Sequence, residues 1–141
     1  MVQNKVAQKI KLFEKAVATL QTVLLKLQQT PHEHENYIFF RDSLIQRFEY
    51  CTDMFWKMLR EFIIEKHGID VPASPKAVLK QALDLFIFDE NQYKVLIASV
   101  NDRNLTSHAY HEDVAAQIAS HIQSYYLLMQ KITETLKDAI D

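Results

Sequence analysis

The chain has 141 residues, a net charge of −2, and 48% hydrophobic against 24% charged residues, the balance of one globular domain spanning residues 1–141. So balanced a charge is not the profile of a protein that coats nucleic acid non-specifically. The single cysteine, Cys51, excludes an internal disulfide and a cysteine-based zinc cluster, and no run approaches the roughly 18 apolar residues that a membrane span needs.

One Gly and three Pro leave little material for turns, so long uninterrupted helices are expected. The N-terminus is charged and amphipathic rather than signal-like, which makes a reducing cytoplasm the expected location. Charge is unevenly spread. Lys5, Lys9, Lys11, Lys15 and Lys26 face Glu14 alone in the first 30 residues, while the last stretch is acidic. Complementary solvated helix faces account for this simply.

The first helix is predicted from about Val2 to Gln29. Val6, Ile10, Phe13, Val17, Leu20, Leu24 and Leu27 recur at steps of four and three, the seam of a bundle helix, and Pro31 ends it. A polar connection with His32 and His34 leads to a second helix, about Tyr37 to His67. Its seam is Phe40, Leu44, Phe48, Cys51, Phe55, Leu59 and Phe62, and Ile45, Met54, Trp56, Met58 and Ile63 widen the apolar side. So broad a face packs against more than one neighbour. Lys66 and His67 before Gly68 read as a helix C-terminus.

Ser74 before Pro75 reads as an N-cap opening a short third helix to about Leu85. Asp89 and Gln92 read as a capping box opening a fourth, about Glu90 to Asn101, apolar enough to be buried. The last helix runs from about Glu112 to Ile140 on a seam of Val114, Ile118, Ile122, Tyr125, Met129, Ile132 and Leu136. These elements make an all-α, up-and-down bundle of four to five helices. The surplus apolar surface on the second and fourth helices points to a dimer, or to a thick monomeric core.

Between the last two helices the pattern breaks. Arg103, Asn104, Thr106, Ser107, His108 and Tyr110 crowd a short segment that a simple turn would fill with Gly or Pro. Arg103 can clamp phosphate oxygens, Asn104 can orient a phosphate or ribose, and His108 can exchange a proton near neutrality. The same residues could instead cap the fourth helix and sit as structural groups. Local chemistry alone leaves the two readings even.

Arg103, four residues, then His108, Ala109 and Tyr110 match the R-x4-H-x-Y pattern of HEPN domains, with Asn104 as the polar residue after the Arg. Phe48-Glu49-Tyr50-Cys51-Thr52-Asp53-Met54-Phe55-Trp56-Lys57 resembles the family's Phe-Glu-rich helix ending in Trp-Lys. The chain therefore resembles, over about its whole length, the HEPN subgroup of nucleotidyltransferase substrate-binding proteins, whose toxin members are called HepT. Cys51, Thr52 and Asp53 depart from the pattern, a difference expected to touch packing only.

The resemblance implies a helical homodimer that partners a minimal nucleotidyltransferase, with RNA as substrate and neither DNA nor a cofactor. In active members, which are metal-independent ribonucleases, a ribose 2′-hydroxyl attacks the adjacent phosphate. His108 would move the proton, Arg103 would stabilise the charge and Asn104 would position the phosphate. Tyr110 would accept AMP from the partner, silencing the site with a bulky anion. The alternatives are a non-catalytic subunit presenting substrate to the nucleotidyltransferase, and a purely structural dimer.

Other groups carry less. His108 and His111 have helical metal-ligand spacing but no third ligand, so no metal is assigned. Trp56 reads as a bundle anchor, Tyr125 and Tyr126 as core or dimer contacts, and His32, His34 and His121 as surface residues.

Overall fold

The computed structural model describes residues 5–140. The elements are α1 (Lys5–Gln28), α2 (Asn36–His67), α3 (Pro75–Asp84), α4 (Glu90–Leu105), a one-turn 3₁₀ helix (Thr106–His108) and α5 (Glu112–Ile140), with no strand among the described residues. The fold is the all-α bundle that the periodicity calls for. α1 packs along α2 more extensively than any other pair, α5 lies on α2 and α1, and α3 and α4 close one flank.

The seven-residue seam of α1 is its buried set, from Val6 to Leu27. The part of its predicted start at Val2 lies outside the described residues. α2 buries Leu44, Ile45, Phe48, Cys51, Phe55, Met58, Leu59, Phe62 and Ile63, two adjoining stripes wide enough for α1 and α5 together. Gly68 ends it in the left-handed region at φ 64°, donating its N–H to the Ile64 carbonyl. Pro75 opens α3 behind an extended Ser74, whose hydroxyl makes no capping bond. The capping box at α4 forms in both directions: Gln92 N–H to Asp89 Oδ1 is 2.8 Å, and Asp89 N–H to Gln92 Oε1 is 2.9 Å.

Two expectations need correction. Phe40 is only partly buried, and Arg41 next to it is buried instead. Its guanidinium meets Glu112 in the first turn of α5, one contact being Nη2 to Oε1 at 3.2 Å. A buried cation requires such a partner, and the pair ties the start of α2 to the start of α5.

The fourth helix is neither as short nor as buried as expected. It continues to Leu105, and only Leu96, Ser99, Val100 and Asp102 are buried along it. Polar residues do not end it because they find partners on neighbouring helices. Buried Asp102 accepts a 2.7 Å hydrogen bond from the Tyr125 hydroxyl, and its Oδ2 lies 2.9 Å from His121 Nδ1. His121, expected to be a solvated surface group, is thus half-exposed and tied to the core side of α4. No helix among the described residues is long and apolar enough to cross a membrane.

Candidate functional site

The polar segment is helical rather than a loop. Arg103 and Asn104 occupy the last turn of α4, Thr106–His108 the 3₁₀ turn, and Ala109–His111 the short link to α5. Thr106 makes the junction: its hydroxyl donates to the Arg103 carbonyl at 2.8 Å, and it accepts from Arg103 Nη1 at 3.3 Å. A helix end that satisfies its carbonyls in this way turns without Gly.

Arg103 does not present an open fork. Its Nε and Nη2 donate to Oδ1 and Oδ2 of Asp53, both at 3.0 Å, and Nη1 donates to Glu49 Oε2 at 2.9 Å. Hydrogen bonding to Asp53 leads the causes that raise the Arg103 pKa above its ordinary value, so the cation is permanent. Two carboxylates against one guanidinium leave the cluster formally negative. A phosphate reaching Arg103 therefore meets two anions already in place, and must displace one or use the guanidinium's remaining N–H. Glu49 and Asp53 are the residues that the sequence reading missed as site components. They lie in the helix already singled out, Asp53 at a position read as a mere packing departure.

His108 and Tyr110 point into solvent. Tyr110 is 78% exposed, with its ring 6.4 Å from His108 and 4.3 Å from His111, centroid to centroid. His108 is exposed, and among the described residues no hydrogen bond joins it to Arg103. The link between the two halves of the site is Glu49. It binds Arg103 and also lines a groove of about 570 Å³ with Asp42, Gln46, Thr106 and Tyr110. Asn104 is exposed beside Arg103. The structure thus brings Tyr110, His108 and His111 together, places Arg103 behind Glu49, and leaves His108 apart from Arg103. A cleft of similar size between α1 and α5, about 520 Å³, is lined by none of the expected site residues. Among the described residues no three His, Cys, Asp or Glu gather as a metal site would require.

This bundle recurs in solved structures. A protein from Thermus thermophilus is 32% identical, with 88% of this chain and 98% of that one covered and a TM-score of 0.77. A Haemophilus influenzae protein, whose structure is described as revealing the fold of a substrate binding domain of a nucleotidyltransferase, is 20% identical over 91% and 98% of the two chains, with a TM-score of 0.76. A chain of a toxin-antitoxin solved with AMP-PNP is 15% identical over 92% and 99%, with a TM-score of 0.62. At those identities the last two define a shared fold. No curated protein matches. The family described as nucleotidyltransferase substrate binding protein like matches residues 8–138, and this chain belongs to it. It is the HEPN subgroup to which Arg103, His108 and Tyr110 pointed.

Proposed function

We propose that this chain is the HEPN-type subunit of a two-component system with a minimal nucleotidyltransferase, of the toxin–antitoxin kind, and that it is a metal-independent ribonuclease. The observation that carries the reading is the placement of Tyr110. A tyrosine 78% exposed beside two histidine rings, on the link between two helices, is open to a partner enzyme. Its hydroxyl would attack the α-phosphate of ATP held by the nucleotidyltransferase, losing its proton and releasing pyrophosphate. The phosphodiester formed would place an anion beside His108 and across the groove.

In the cleavage step, the ribose 2′-hydroxyl attacks the neighbouring phosphate and the 5′-oxygen leaves. His108 would take the first proton and return one to the leaving oxygen, Arg103 would meet the developing charge through its remaining N–H or after release from Glu49, and Asn104 would position the phosphate. Pairing as a homodimer would bring two copies of the Arg103–His108 segment together in one cleft. Exposed Ile38 and Phe39 on α2 and Leu105 on α4 offer apolar surface for pairing.

A second reading is favoured by the carboxylates around Arg103: a non-catalytic subunit that presents substrate to the nucleotidyltransferase. Incubating RNA with the wild type and with His108→Ala, in excess chelator, separates the two. Cleavage by the wild type alone supports the nuclease. Cleavage by neither, with a stable nucleotidyltransferase complex, supports the binding subunit. Mass spectrometry after co-expression tests Tyr110: an intact complex without AMP on that residue ends its role as acceptor.

A further inference from the structure

Thr52 behaves unlike the other helical threonines that are hydrogen-bonded here. Thr19, Thr22, Thr133 and Thr135 each return their hydroxyl to the carbonyl four residues earlier, the usual resting place for a threonine inside a helix. Thr52 is 2% exposed, and its Oγ1 has no hydrogen-bond partner among the described residues. A buried hydroxyl left unpaired is a cost to the fold.

Thr52 lines a cavity of about 160 Å³ between α2, the start of α3 and the end of α4, with Asp53, Trp56, Arg103 and Asn104 among its walls. Drug-sized ligands occupy roughly 300 Å³ or more, so this space suits one flat ring system. Trp56 supplies an aromatic wall and is half-buried. The amide of exposed Asn104 offers both a donor and an acceptor, as recognition of a base edge requires.

Trp56 and Lys57 also line a second cavity, of about 210 Å³, that reaches Lys9 and Arg60. Lys57 Nζ stands 5.7 Å from the centroid of the Trp56 ring. Beyond Trp56 the surface therefore carries three cations against Glu61. An aromatic wall beside a basic strip is how proteins hold single-stranded nucleic acid.

We propose that the cavity between Trp56 and Asn104 is a nucleobase subsite for single-stranded RNA, with Lys57, Arg60 and Lys9 following the phosphates beyond the seated base. The inference rests on the reading of Arg103 and His108 as an RNA site and assigns the neighbouring base a place. Seating the base would have to bring the Thr52 hydroxyl, sealed from solvent beforehand, within its reach, and Trp56 serves as a ligand wall rather than only a bundle anchor.

Trp56 is the only tryptophan in the chain, so its emission reports on this cavity directly. A short single-stranded oligoribonucleotide is titrated in chelator into His108→Ala, which would leave the strand uncut. Saturable quenching is expected. Thr52→Val in the same background is expected to raise the melting temperature while weakening binding about tenfold, the worth of one hydrogen-bonded base contact. Asn104→Ala, at an exposed position, is expected to weaken binding without changing the melting temperature. Lys57→Ala should reduce the salt slope by about 0.7.

Unchanged emission on RNA addition, or unchanged affinity in Thr52→Val, overturns the subsite; a loss in Asn104→Ala alone would reflect only its contact with the phosphate. Quenching by AMP at the same affinity as the strand overturns the RNA assignment in favour of a free nucleotide. Quenching by RNA with no cleavage by the wild type keeps the subsite and removes the nuclease. Cleavage without quenching does the reverse.

Discussion

Asp53 accepts two parallel hydrogen bonds from Arg103, Nε to Oδ1 and Nη2 to Oδ2, each 3.0 Å. This forked pair joins α2 to the last turn of α4 and holds the guanidinium in one plane. Fork-to-carboxylate pairs are the strong form of the interaction, although both side chains are about one-third exposed, which reduces its worth. The pair therefore acts mainly on where Arg103 points and on the charge that a phosphate meets.

Asp53→Asn is expected to separate those two effects. It removes one of the two anions beside Arg103 while keeping the shape. RNA should bind a few-fold more tightly at low salt, with a steeper salt dependence. Unfolding free energy should fall by about 1 kcal/mol at most, as for a partly exposed pair. Binding titrations at two salt concentrations and urea unfolding measure both. Weaker RNA binding in a folded Asp53→Asn would show that orientation by Asp53 outweighs its negative charge.

The Arg41–Glu112 pair makes a pH prediction. Its hydrogen bond with Arg41 is the leading cause holding the Glu112 carboxyl below its ordinary range. A depressed folded-state pKa adds stability that is fully present above the unfolded glutamate value of about 4.3. That stability is lost as pH falls through the lower folded value. Glu112→Gln leaves a buried guanidinium without its main anion, whereas Arg41→Met leaves only an exposed carboxylate. Glu112→Gln is expected to be the more destabilising at pH 7, and its gap from the wild type should close in acid. Urea midpoints from pH 3 to 7 would show both effects.

The helices were legible in the sequence because the apolar periodicity of α1 and α5 and the capping box at Asp89 are local. The end of α4 was not. A run of polar residues after Val100 looks like a loop until Asp102 and Arg103 are seen to pair with Tyr125 and Asp53, far away in sequence. The candidate site was half legible. A motif names candidate residues, Arg103 and His108 among them, but does not tell that a carboxylate fifty positions earlier fills the fork. Thr52 and Asp53 looked like departures from a pattern because the neighbours that give them meaning lie on α4.

Asp102 is 7% exposed and depends on its donors. Burial, followed by the hydrogen bond to Asp102, pushes the Tyr125 phenol above its ordinary value. Tyr125→Phe removes one donor from a buried carboxylate and is expected to cost about 1–3 kcal/mol. A raised phenol pKa contributes stability below the ordinary tyrosine value of about 10 and loses it as pH rises through the folded value. The wild type should lose its advantage over Tyr125→Phe in strong alkali. Urea midpoints at pH 7 and above pH 10 would check this, and equal stability at pH 7 would contradict the role given to the hydroxyl.

Phe86 offers a test of backbone strain. It sits at φ 60° just after α3, with the Ile87 N–H bonded to the Ala82 carbonyl at 3.0 Å across the turn, and its side chain is 91% exposed. This is the helix C-terminal turn that glycine usually makes. A side chain in the left-handed region costs about 1–2 kcal/mol, and an exposed ring recovers little of that by burial. Phe86→Gly removes the strain but gives the unfolded chain more freedom, worth roughly 0.4–1 kcal/mol in the opposite direction. The net expectation is a gain of about 0.5 kcal/mol, or roughly 2 °C in melting temperature for a domain of this size. Calorimetry of the two proteins measures it. A loss of stability would mean that the phenyl ring contributes more to the fold than its exposure implies.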